Sequence, residues 1–165
     1  MYIQSKQGFT LIELMIVVAI MGILATMSIP TNYSFLVRAQ MTEALSLADG
    51  IKKSITEYYT VNHTFPEDNQ AVGVPISEHL IGNFVTGIQV EKGAIHVTLG
   101  NRVHNSLKGR VLTLRPAIVT AHPASPVSWL CGYAEPVTGM TAQGENHTDV
   151  SALYLAFECR AWKNG

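Results

Sequence analysis

One stretch of this chain restricts its fold more than any other. From Phe9 to Pro30 the sequence reads FTLIELMIVVAIMGILATMSIP, with a single charged side chain, Glu13. About 20 apolar residues in a helix rise roughly 30 Å, the thickness of a bilayer's hydrocarbon core. Only MYIQSKQG precedes the run, carrying Lys6 and the chain's amino group. The positive-inside rule keeps that short end cytoplasmic and sends the remainder across. The run exceeds the roughly 7–15 apolar residues of a secretory signal peptide, and no Ala-x-Ala-like site follows it. A plain anchor does not account for Glu13. A carboxylate within such a helix costs several kcal/mol unless it is paired or protonated, so it points to a partner.

The chain as a whole is poor in charge against the roughly one quarter usual in globular domains. Charged residues make up 14% of the 165 residues and hydrophobic ones 47%, much of the excess lying in that one run. A formal charge of −1 provides no global field for nucleic acid or an acidic membrane. These figures exclude collagen and disorder, and the length suits one modest domain with an appendage.

The string Gly8-Phe9-Thr10-Leu11-Ile12-Glu13-Leu14-Met15-Ile16-Val17-Val18 closely resembles the class III leader junction of type IV prepilins, especially the type IVa pilins. That junction is a short basic leader ending in Gly, then Phe, then Glu at the fifth mature position, then an unbroken apolar helix. The resemblance implies that a prepilin peptidase cuts between Gly8 and Phe9 and methylates the new amino group of Phe9, leaving the helix on the mature protein. Gly8, without a Cβ, lets the backbone approach the peptidase closely. In an assembled fibre Glu13 of one subunit then meets the amino group of Phe9 on a neighbour. Each charge alone is costly in an apolar core, and together they set the axial register. Gly22 and Pro30 weaken the helix by roughly 1 and 3 kcal/mol relative to Ala, and the resemblance implies that this stretch loosens on assembly. The implied partners are other copies in a helical filament, the prepilin peptidase, the inner-membrane pilus assembly machinery and, before assembly, the membrane itself. The prepilin would be single-pass with its head in the periplasm and would end in an extracellular pilus fibre. No cofactor and no metal is implied.

The fold implied is α+β, a long N-terminal helix packed on an antiparallel, roughly four-stranded sheet with a disulfide-closed C-terminal loop. It divides the chain into a leader (1–8), a transmembrane and filament-core helix (9–30), an amphipathic helix half packed on the head (31–60) and a globular head (61–165). The head comprises an αβ-loop (61–84), a sheet (85–130) and a D-region (131–159). The residues support this independently. Tyr33, Leu36, Val37, Met41, Ala44, Leu45, Ala48, Ile51, Ile55, Tyr58 and Tyr59 recur at steps of three and four, with Arg38, Gln40, Glu43, Asp49, Lys52 and Glu57 opposite. One helix from about Phe9 to Thr60 would be on the order of 78 Å long. Pro66, Gly73, Pro75 and Gly82 mark a loop over 62–83. Val85–Val90 and Ala94–Leu99 flank Glu91-Lys92-Gly93 as a hairpin. A third strand spans Arg110–Val119, with Pro116 making its far end an edge, and Trp129–Tyr133 and Ala152–Cys159 are weaker strand candidates.

Cys131 and Cys159 are too few for a disulfide-dense domain and lack zinc-site spacing. With the head outside the cytoplasm their oxidised pairing is the expected state, and it resembles the D-region bond of type IVa pilins. No Gly-rich phosphate loop, HExxH or GxSxG appears. His63, His79, His96, His104, His122 and His147 are scattered without a pair at metal-ligand spacing and read as surface or turn residues. Glu145 and Asp149 are too few for a calcium site. Asn62-His63-Thr64 and Asn146-His147-Thr148 match the glycosylation sequon, in this context by accident. Arg102, Lys108, Arg110 and Arg115, with His104, form a loose basic run that reads as solvated loop charge, contact with DNA phosphates being the sharper alternative. The sequence therefore describes no enzyme but a structural subunit of a type IV pilus serving adhesion, twitching motility or DNA uptake. Glu13 and a head of ordinary size favour a major subunit. A type II secretion pseudopilin shares the N-terminal logic, although the cysteine pair and eight-residue leader argue against it, and a DNA-binding minor pilin is the third reading.

Overall fold

The computed structural model describes residues 8–28, 32–122 and 124–161, in two compact units that meet in sequence between Phe35 and Leu36. In the first, α1 (Leu11–Ser28) occupies the apolar run. Its start is fixed by a capping box, a device legible in the Thr10-x-x-Glu13 spacing. The Thr10 amide and hydroxyl donate to Glu13 Oε2 at 2.9 and 2.7 Å, and the Glu13 amide returns a bond to Thr10 Oγ1 at 3.3 Å. The amphipathic stretch forms α2 (Asn32–Asn62). The helix expected as one element from about Phe9 to Thr60 is thus described as two. The residues between them, including Pro30 with its missing N–H, lie outside the described residues, as do leader residues 1–7.

In the second unit, α2 buries Val37, Met41, Ala44, Ala48, Ile51, Ile55 and Tyr59, a stripe at steps of three and four. Most of it joins Ile88, Val90, Ile95, Val97, Leu99, Leu112 and Leu114 of the sheet in one apolar core. Leu36 falls off the stripe and is exposed. The polar face does more than meet water. Arg38 donates to the Leu153 carbonyl, Gln40 accepts the His104 amide, and Glu43 accepts the Phe84 amide at 2.8 Å. Three charged or polar side chains of one helix thereby tie down three separate loops.

The sheet runs β1 (Val85–Glu91), β2 (Ala94–Leu99), β3 (Val111–Val119) and β4 (Ser128–Cys131) in antiparallel order, with β5 (Met140–Ala142) also pairing β3. The β1–β2 connection is two residues long, Lys92 at φ 48° and Gly93 at φ 84°, with Glu91 opposite Ala94. Two positive φ values in a two-residue loop suit the right-handed twist of the flanking strands. The β2–β3 ladder ends at Ile95 opposite Leu114, so Pro116 stands where β2 has stopped, while β4 continues past it with Trp129. The predicted edge is not left open there, because β5 takes over from β2 at Ala117 and the Gln143 amide donates to Pro116 O at 2.8 Å.

One strand expectation is refined and another corrected. Among the described residues the sheet has five strands, because Met140–Ala142 adds a short one. Three residues inside a polar loop offer no alternation to read. Ala152–Cys159 is not a strand but turns followed by a 3-10 helix at Phe157–Cys159. Its apolar Leu153, Leu155, Phe157 and Cys159 alternate as a strand would, yet only Leu155 and Cys159 are buried. The burial period is four, and the backbone follows the burial.

The αβ-loop has little regular structure beyond a 3-10 turn at Ser77–His79. It is held by Asn69, only 7% exposed, whose amide donates to Pro75 O (2.8 Å) and Ile88 O (3.0 Å) while its oxygen accepts the Val90 amide (2.6 Å). A side chain thus supplies the ladder partner that the outer edge of β1 lacks. Asn69→Leu is expected to cost about 3 kcal/mol, because two buried backbone groups of β1 and a part-buried one at Pro75 lose their partner together. The fall in urea midpoint of the detergent-solubilised chain measures it.

Candidate functional site

Three features of the structure bear on function, and the first is α1. A helix in contact with water on one side shows an apolar stripe and a polar face. Here Leu11, Ile12, Leu14, Met15, Ile16, Val17, Val18, Ile20, Met21, Ile23 and Leu24 are all exposed, all around the helix, and Phe9 before it is 85% exposed. Water does not tolerate so continuous an apolar surface, so lipid or other protein must cover it. Among the described residues no helix is long and apolar enough to cross a membrane. The 18 residues of α1 rise about 27 Å, and the expected span of 9–30 runs past its described end. Glu13, the lone acid, has both Thr10 bonds on Oε2, so in the single chain it already closes the helix start. Gly8 and Phe9 precede the helix in irregular backbone. Gly22 lies within α1, and nothing stands within 4 Å of where its Cβ would be. Close packing inside the chain therefore does not demand a glycine there.

The second feature is the C-terminal loop. Cys131 and Cys159 are disulfide-bonded, as the resemblance implied. Between them the chain returns along the part of β3 that β4 does not reach. Asp149 accepts the Val111 amide at 2.6 Å and Thr148 Oγ1 the Thr113 amide at 3.0 Å, while Thr113 O accepts from Gly132 N. Gly132, at φ 58°, could not carry a side chain, since its Cβ would lie 2.6 Å from the Cys159 carbonyl oxygen. The Asn146 amide donates to Gly132 O at 2.8 Å, so the second sequon asparagine is engaged in holding the loop. The basic run is broken up by the fold. Arg110 pairs with Asp149 at 3.1 Å, and Arg115, largely buried, donates to Ala134 O and lies 3.6 Å from Glu135. Asp149 is committed to that pairing rather than to a cation shared with Glu145.

The third feature escaped the sequence. Ile95, Val97 and Leu99 of β2 face α2, so His96 stands on the other face of the sheet, where the loop carrying His147 covers it. The two imidazoles stack with centroids 4.4 Å apart and planes 18° apart. His96 is 6% exposed, and its Nδ1 lies 3.0 Å from Thr113 Oγ1, its cross-strand neighbour. Its Nε2, also buried, has no hydrogen-bond partner and lies 3.9 Å from the Glu91 carboxylate. Burial and the neighbouring His147 push its pKa below the ordinary histidine range, against the pull of Glu91 and Glu145. The signal that could have marked His96, though not its partner, is the period of two along β2, which places it on the face away from Ile95 and Val97, a face that must be covered.

A chain with this architecture buries its leading helix against other molecules, as subunits of a polymer do. It belongs to the pilin family of bacterial filament proteins, whose family model matches residues 37–160, and a prokaryotic N-terminal methylation motif matches residues 3–29. It is similar to a fimbrial protein of Neisseria meningitidis serogroup B, 38% identical over 92% of this chain and 85% of the relative. It is 40% identical to the type IV major pilin protein PilE of Neisseria gonorrhoeae over 81% of this chain and 77% of that one. Fimbrial protein EcpC of Eikenella corrodens is 38% identical over 95% and 92%. The resemblance to type IV prepilins read from Gly8–Val18 is thereby borne out, and with it the α+β pilin fold and the role of structural filament subunit.

Proposed function

We propose that this chain polymerises through α1 as the major structural subunit of a type IV pilus. The observation that carries this is the all-round apolar exposure of α1, interrupted by one acid at its start. Residues 1–8 form the leader, cut between Gly8 and Phe9 by a prepilin peptidase that also methylates Phe9. Residues 9–30 hold the prepilin in the inner membrane with the head in the periplasm, then pass into the filament core under the pilus assembly machinery, Gly22 and Pro30 allowing the helix to loosen. Residues 31–60 pack on the head, and 61–165 form it. Within the filament, the carboxylate of Glu13 meets the methylated amine of Phe9 on a neighbour, and in that apolar setting the pair selects one axial register. The internal pairing of Arg110 and Arg115 leaves the DNA-binding reading less to stand on.

Mass spectrometry of pili sheared from cells tests this. The dominant chain is expected to begin at N-methylated Phe9 and to end at the natural C terminus. A fibre chain still beginning at Met1, or trimmed beyond residue 20, would overturn the reading. Trace amounts beside another dominant chain would make this a minor subunit.

A further inference from the structure

We propose that Glu91, His96 and His147 form a binding site for a divalent transition-metal ion of the zinc class. One ligand atom from each residue lies within 4.8 Å of the other two. The independent mark of a missing ligand is the buried, unpartnered Nε2 of His96, since an unsatisfied buried polar atom costs about 1–3 kcal/mol. In the tautomer that donates Nδ1–H to Thr113 Oγ1, the lone pair of His96 stands on Nε2. Thr113 Oγ1 also accepts the backbone amide of His147 at 3.1 Å, so one hydroxyl orients one ligand and anchors the other. Glu145 Oε2, 3.4 Å from His147 Nε2, is in reach as a fourth ligand.

The ligand set identifies the ion. Two imidazoles with carboxylate oxygen suit zinc, and copper or nickel by the same chemistry, whereas calcium and magnesium require a cage of oxygens. Ligands held at about 2.1 Å around a tetrahedral ion stand roughly 3.4 Å apart, so the cluster must close from its present spread. The parallel stack also sets the two rings side by side rather than aimed at one point. His96 is fixed within the sheet, whereas the side chains of His147 and Glu91 are 44% and 46% exposed and can turn about their own bonds. An ion bound there would staple the β1–β2 hairpin to the loop over 143–149. This inference is independent of how α1 assembles.

Zinc chloride titrated against purified pili, and against the detergent-solubilised full chain, with free zinc read by a chromogenic chelator, tests the site. The expected result is one zinc per subunit, a higher unfolding temperature with zinc, and two imidazole scatterers by X-ray absorption. His147→Gln and Glu91→Gln alter exposed side chains and should leave the fold intact while weakening binding about tenfold or more. His96→Gln should do the same where it folds, and His122→Gln should change nothing. Failure to bind zinc stoichiometrically, or binding that His147→Gln leaves unaltered, overturns the proposal.

Discussion

Cells carrying Glu13→Val are expected to yield sheared pili at less than about a tenth of the wild-type amount, with the subunit accumulating normally in the membrane fraction. Tenfold corresponds to about 1.4 kcal/mol per subunit contact, a modest share of what a charge pair in an apolar core can exert when one partner is removed. The capping box complicates the reading of that result, because Glu13 also closes the start of α1. Glu13→Gln separates the two roles. Glutamine serves at the same position of a capping box, so the helix start survives while the charge is lost. If the carboxylate answers a neighbour's amine, the glutamine variant fails as the valine variant does. Wild-type pilus yield from Glu13→Gln would reduce Glu13 to a capping residue and remove the charge pair from the account.

Loss of the disulfide should be the largest perturbation of the head. Chain-entropy arithmetic for a bond closing a loop across a sequence separation of 28 gives roughly 3.6 kcal/mol. For a domain of this size that corresponds to a fall of roughly 10–15 °C in unfolding temperature. Cys131→Ser with Cys159→Ser, or reductant added to the detergent-solubilised chain, should show it by circular dichroism. The loss should begin locally. Residues 143–149 are attached to β3 chiefly through Thr148, Asp149 and the His147 amide, and to Gly132 through the Asn146 amide, while the α2-backed core does not depend on them. A shift of less than about 2 °C would mean that those side-chain bonds hold the loop unaided.

How far the sequence carried can be judged from particular elements. Both long helices were legible because their apolar patterns are extreme, one continuous and one at steps of three and four over more than seven turns. The β1–β2 hairpin was legible because Lys92-Gly93 sits between two β-rich runs. Ala152–Cys159 misled because two of its alternating apolar residues, Leu153 and Phe157, are placed in solvent by the turns and 3-10 helix that lead to the tethered Cys159. Asn69 was invisible for a different reason. Its importance comes from an unpaired strand edge that exists only once β1 has taken its place. The same holds for His96 and His147, which no spacing rule joins, because they meet only when β2 is covered by the returning C-terminal loop.

The reciprocal bonds between Thr10 and Glu13 have a bearing on processing. They make Leu11 the first helical residue, so the Gly8–Phe9 peptide bond, the proposed cleavage point, sits just upstream of the helical backbone and outside its hydrogen bonds. Were the helix to begin one turn earlier, its own hydrogen bonds would have to be broken before hydrolysis. A threonine hydroxyl thus sets a stopping line for the helix, and the proposed cleavage point lies on the open side of it.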